Sequence, residues 1–205
     1  MYARIDHLTG QPGLQDHGPD PADLGASVAG LPGLYGSLIF RQLAGPAVVF
    51  LTLWDTAASA ASFSGPRPGP ARLPGEVYEV IAAEQGQAAA EAPAYARLLY
   101  FDGPQAPEQA AAADRAGRQR IWPAICGLSG LAGVYVLRRR DLGAVVVHLA
   151  TAVETLEAAE KAAMAAGLLP GEDPALLPAP DRVEIHRVTA RHMPAVAQPV
   201  SAEGR

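Results

Sequence analysis

Eight short apolar stretches recur along the chain, rich in β-branched, aromatic or leucine residues and bounded by Gly and Pro. They run Tyr2–Thr9, Leu34–Leu43, Ala47–Trp54, Glu76–Ala82, Tyr95–Phe101, Gly133–Arg139, Ala144–Ala150 and Arg182–Thr189, and each predicts a strand. Ala47–Trp54 is apolar at nearly every position, which marks a strand covered on both faces. Helical patterns fall between the strands. Pro21–Leu31 predicts a short helix with Asp20 as N-cap. Asp55 or Thr56 caps a second helix through Phe63. Pro104 and Pro107 open a third that runs to about Trp122, where Pro123 ends or kinks it. Thr151 and Glu154 form a capping-box pattern that starts a fourth, with Val153, Leu156, Ala159 and Ala163 on one face. Ser64–Gly75 and Gly167–Asp181 are proline-rich loops, and Met193–Arg205 reads as a disordered tail.

The pattern is written twice. Gly33 aligns with Gly130, and Ala47-Val48-Val49 with Ala144-Val145-Val146, at one offset of 97 residues. Tyr2-Ala3-Arg4-Ile5 likewise matches Tyr95-Ala96-Arg97-Leu98. Two copies are too few for a solenoid, so a duplicated unit packed on itself is the expectation. Each half reads strand-helix-strand-strand-helix-strand, the ferredoxin-like order. The fold class is therefore α+β: two tandem ferredoxin-like half-domains, residues 1–83 and 95–192, joined by a linker at 84–94, with sheets face to face in one barrel. The apolar second face of each sheet requires such a partner.

Composition narrows the function. A formal net charge of −5 argues against nucleic acid or an anionic membrane as partner. The basic run Arg138-Arg139-Arg140 abuts a hairpin turn and reads as a solvated strand end. Cys126 is the single cysteine, so no disulfide can form within the chain and a cytoplasmic setting is expected. Its apolar neighbours suggest a buried, inert thiol. No apolar run approaches the ~18 residues of a membrane span. Phosphate-binding Gly loops, a Gly-x-Ser-x-Gly elbow and Cys/His metal spacing are all missing, so neither a metal nor another cofactor is expected.

The run Val48 to Ala58, VVFLTLWDTAA, resembles the strand-Trp-acidic-helix signature of the antibiotic biosynthesis monooxygenase-like family of the dimeric α+β barrel superfamily. The Gly-Leu-Tyr-Gly run at 33–36 and Gly-Leu-Ala-Gly at 130–133 are similar to that family too. The resemblance implies an enzyme without metal, flavin or haem, acting on a small aromatic polyketide held between sheet and helices. There the substrate would be deprotonated and react directly with dioxygen. It also implies that Trp54 lines the pocket. Those members carry a tyrosine on the following helix, whereas no tyrosine lies between Trp54 and Tyr78 here, and the second half has Thr151 at the Trp position.

The chemistry needs a proton acceptor and flat apolar walls. His148, in mid-strand on the face of Val146 and Ala150, and His186, in the last strand, are the catalytic candidates. Trp54, Trp122 and Tyr135 are the substrate-binding candidates. Each has a plainer reading: His148 as a core imidazole hydrogen-bonded to a neighbour, the tryptophans as packing. The second half, with its histidines, is the expected place for proton transfer. A non-catalytic small-molecule binder or a structural barrel would share the same pattern, and a homo-oligomer is a further expectation.

Overall fold

The computed structural model describes residues 1–8, 28, 30–64 and 75–192. The expected helix Pro21–Leu31 and the tail lie wholly or mostly outside them. Eight strands are present in the described residues: β1 (Tyr2–Leu8), β2 (Leu34–Gln42), β3 (Val48–Trp54), β4 (Glu76–Gln85), β5 (Tyr95–Phe101), β6 (Leu131–Arg138), β7 (Ala144–Ala150) and β8 (Arg182–His192). The helices are α1 (Ala57–Ser62), α2 (Pro107–Ala116), α3 (Trp122–Ile125) and α4 (Val153–Ala165). The strands close into one barrel in the order β1-β3-β2-β8-β5-β7-β6-β4. Each half contributes four neighbours in the order fourth, first, third, second, as a ferredoxin-like sheet does. The second strand of each half pairs with the fourth strand of the other (β2 with β8, β6 with β4), so neither sheet has a free edge.

Strand alternation divides the side chains between two faces. Ile5, Leu38, Phe40, Leu51, Leu98 and Leu149 fill the barrel interior. Phe50, Ile39 and Val48 of the first half, and Val134, Leu131 and Ile125 of the second, lie in clusters outside the barrel, where the helices pack. Every residue of β3 is buried, as its unbroken apolar run requires.

The repeat offset changes inside the hairpin. Gln42 N–H donates to Ala47 C=O (2.9 Å) in the first half, and Arg139 N–H to Gly143 C=O (2.8 Å) in the second. The first turn thus spans Leu43–Pro46 and the second only Arg140–Leu142. Register confirms it: Arg4 stands opposite Thr52, and Arg97 opposite His148. The third strands and following helices therefore correspond at 96 residues, not 97. Trp54 is equivalent to Ala150, a correction of the expected Thr151. The shorter turn is closed by Leu142 in the left-handed region (φ 68°), a conformation that three-residue hairpin loops use.

Other local expectations change as well. The third helix does not stop at Trp122. It loosens into a π-helical turn over Gly117–Ile121 and resumes as α3 with Pro123 in its first turn, where a missing N–H is tolerated. Ala152 is the N-cap of α4, and Thr151 sends its hydroxyl to Gly130 C=O instead (3.4 Å), so the capping box does not form. Arg138 and Arg139 are not merely solvated. Arg138 makes a bidentate pair with Asp114 (both 2.7 Å), and Arg139 bridges Glu76 (3.0 Å) and Asp141 (3.1 Å). Cys126 is half-buried rather than buried, its thiol 3.6 Å from Pro123 C=O. β4 extends to Gln85, so the expected linker begins inside a paired strand.

Candidate functional site

On β3, alternation sends Thr52 and Trp54 to the helix-covered face. Trp54 Nε1 donates to Thr52 Oγ1 (2.8 Å), which fixes the indole edge. The chain then enters α1 through Thr56, whose hydroxyl accepts from Ser59 N–H (3.0 Å), so the short alanine-rich helix starts at a defined point. The outcome is a recess of about 400 Å³. Trp54 and Phe63 wall it, with ring centroids 5.3 Å apart. Ser59, Ser62 and Ser64 supply hydroxyls, and Leu31 and Pro32 close the side nearest β2.

Behind the recess lies a buried ion pair. Arg4 Nε and Nη2 meet the two oxygens of Asp6 at 2.9 and 3.0 Å, and Arg4 Nη1 donates to Ala60 C=O (3.1 Å) on α1. The guanidinium carbon sits 5.6 Å from the Phe63 ring centre. Arg4 thus ties α1 to the sheet and backs one aromatic wall. Gly75 packs directly on this pair, since a Cβ there would lie 2.4 Å from Asp6 Oδ1.

The second half carries a recess of about 200 Å³ at the corresponding place, lined by Leu128, Ser129, Gly130, Glu154, Thr155 and Ala158. Leu128 and Ser129 are the counterparts of Leu31 and Pro32, and Thr155 and Ala158 those of Ser59 and Ser62. Matching backbone bonds hold both: Asp55 N–H to Gly33 C=O (2.8 Å) and Thr151 N–H to Gly130 C=O (2.9 Å). Ala150 and Ala159 stand where the first half has Trp54 and Phe63. Trp122 packs with Ile125, Leu131, Val134 and Ala159 against the sheet.

The five candidate residues fall into three places. Trp54 is in the first recess. His148 and Trp122 are on the helix-covered face of the second half. His186 and Tyr135 are on the barrel-interior side, Tyr135 packed at its core. His148 is buried, and burial first, then the neighbouring Arg97, lowers its pKa to about 4. Its imidazole is neutral at neutral pH. Arg97 reaches Glu160 on α4 (2.9 Å). His148 Nδ1 and Arg97 Nε have no hydrogen-bond partner among the described residues. His186 is fully buried, with Nε2 3.0 Å from Glu184 Oε2, and burial lowers its pKa against the opposing pull of that carboxylate. The two histidines therefore face opposite sides of the sheet and do not converge. The larger recess and the two catalytic candidates are in different halves.

The interior has a pseudo-symmetric polar end. Tyr78 donates to Glu76 (2.5 Å) where the second half places His186 beside Glu184, and His7 and Tyr100, equivalent on β1 and β5, meet with ring centroids 5.9 Å apart. Sequence reasoning missed Arg4, Asp6, Thr52, Ser59, Ser62 and Phe63. A usable signal was present for two: Arg4 and Asp6 are oppositely charged residues two apart in one strand, hence on one face.

No known protein family matches the sequence, and no curated protein does. Solved structures do resemble the fold. A protein provisionally described as a monooxygenase from Fusobacterium nucleatum superposes with a TM-score of 0.67 at 7% identity, covering 94% of each chain. An anthrone oxidase-like protein gives 0.55 at 12% identity, over 94% of this chain and 92% of the other. A ferredoxin-fold protein related to antibiotic biosynthesis monooxygenases, from Listeria monocytogenes, gives 0.51 at 9%, over 95% of each. The chain has the monooxygenase-like α+β barrel fold. Both halves of that barrel come from one polypeptide. No helix among the described residues is long and apolar enough to cross a membrane.

Proposed function

We propose that this protein binds a flat phenolic ring of the aromatic polyketide type in the first-half recess and oxidises it with dioxygen, without metal or organic cofactor. The observation that carries the reading is the recess itself. It lies between sheet and helix and is walled by Trp54 and Phe63, which suit a planar ring, with hydroxyls on one side. One fold carries many unrelated chemistries, so the reading rests on the recess. In the proposed reaction an anthrone loses a proton at its methylene carbon and reacts with O₂. One oxygen atom becomes the new quinone carbonyl and the other leaves as water.

A second reading, non-catalytic binding of the same ring, is favoured by one observation: the described residues lining the recess include no imidazole or carboxylate. Oxygen uptake with a dihydroxyanthrone separates the two. Stoichiometric consumption of O₂ with quinone formation, accelerated roughly 100-fold or more over buffer, supports the oxygenase. Saturable binding with an unchanged oxidation rate supports the binder. In either case Trp54→Ala should weaken binding. An unchanged affinity in that variant would refute the location.

A further inference from the structure

The two recesses descend from one duplicated site, but their linings have diverged in a way that assigns different roles. In the second half Ala150 and Ala159 replace the aromatic walls Trp54 and Phe63, the volume is about 200 against about 400 Å³, and Trp122 packs against the adjacent sheet face. Among the described residues, aromatic stacking surfaces line only the first recess.

The hydroxyls carry a further distinction. Ser62 Oγ donates its proton to Ser59 C=O (3.0 Å). The capacity it has left is acceptor lone pairs, since a serine hydroxyl has one proton to give. Ala158 stands at this position in the second half. No charged side chain lines the first recess among the described residues, and the nearby Arg4 guanidinium is already matched by Asp6 and Ala60 C=O. Among the described residues an anionic ligand would find no counter-charge to offset its lost hydration.

We infer that the duplicated site has become one-sided: each chain takes one neutral phenol, in the first recess, with Ser62 as the specificity-determining acceptor of its O–H. This rests on the ring-binding reading above and adds the stoichiometry, the charge state and the residue that selects it.

Calorimetric titration of the full chain tests it with three probes: a dihydroxyanthraquinone, its dimethyl ether and its carboxylated derivative. The expected result is one equivalent of the phenol per chain, bound about 2- to 13-fold more tightly than the ether, the scale of one hydrogen bond. The carboxylate should bind more weakly than the phenol. Ser62→Ala should remove the phenol–ether difference while leaving ether affinity unchanged, and Thr155→Ala in the other recess should change neither. Two equivalents per chain, an ether or carboxylate bound as tightly as the phenol, or a Ser62→Ala variant that keeps the preference would overturn the inference while leaving ring binding intact. Failure to bind any of the three overturns ring binding itself, and this inference with it.

Discussion

Thr52 and His148 occupy the same place in the two halves. Each stands on the third strand of its half, on the helix-covered face, directly opposite an arginine of the first strand: Arg4 in one case, Arg97 in the other. Around this shared frame the neighbours differ. Arg4 is matched within its own strand by Asp6, whereas the residue at that position in the second half is Leu99, and Arg97 reaches across to Glu160 on α4 instead. The first frame supports an open recess. The second accompanies the smaller recess and holds a buried, neutral imidazole.

The Arg4–Asp6 pair is expected to couple strongly. Asp6→Ala leaves a buried guanidinium without its counter-charge, and loss of one partner of such a pair costs about 3–5 kcal/mol. Combining Arg4→Ala with Asp6→Ala should cost clearly less than the two single changes added together. Denaturant unfolding of the two singles and the double provides the cycle. Strict additivity would show that the pair contributes no interaction energy.

Gly75→Ala should destabilise the fold by about 1–3 kcal/mol, because the new Cβ would fall within 2.4 Å of Asp6 Oδ1 and 2.5 Å of Arg4 Nε. The cost arises from displacing the ion pair, so it should shrink markedly in an Asp6→Ala background. A cost of equal size in both backgrounds would point to the backbone rather than the carboxylate.

His148 is expected to make stability depend on pH. Its folded pKa, about 4, lies below the ordinary histidine value of 6.5, so the unfolded chain takes up a proton first as pH falls. The stability associated with the neutral ring is complete above pH 6.5 and is lost between there and pH 4, by about 3 kcal/mol at most. His7 and His186, whose pKa values burial also lowers, act in the same direction. The melting temperature should therefore fall from pH 7 to pH 5, and His148→Leu should flatten part of that fall. Because His148 lies in the half opposite the open recess, any turnover per folded molecule should change little in this variant. A drop of roughly 100-fold without loss of folding would instead make His148 the general base.

Leu142 holds a left-handed conformation that an L side chain adopts at a cost of about 1–2 kcal/mol, part of which glycine gives back through the greater freedom of its unfolded state. Leu142→Gly should stabilise the protein by about 0.5–1 kcal/mol, read as a raised unfolding midpoint. Leu43 in the longer first hairpin has no left-handed conformation to relieve, so a similar gain from Leu43→Gly would argue against this explanation.

The sequence by itself determined the strands, their pairing into two ferredoxin-like halves and the closed barrel. These follow from local periodicity, from Gly and Pro at the turns and from a repeated pattern whose apolar faces need each other. It also put His148 on one strand face with Val146 and Ala150, because alternation along a strand is a local property. Tertiary structure decided the rest. The one-residue difference between the hairpins, which moves the counterpart of Trp54 from Thr151 to Ala150, shows only once the strands are in register. His148 and His186 look alike in sequence, yet their strands present them to opposite sides of the sheet, and only the barrel makes one side an interior. The first recess depends on Arg4 reaching Ala60, on Trp54 finding Thr52 and on Phe63 folding back over both. The Arg4–Ala60 contact joins residues far apart in the chain, so no local pattern encodes it, and a residue's type cannot say how large a recess its neighbours leave.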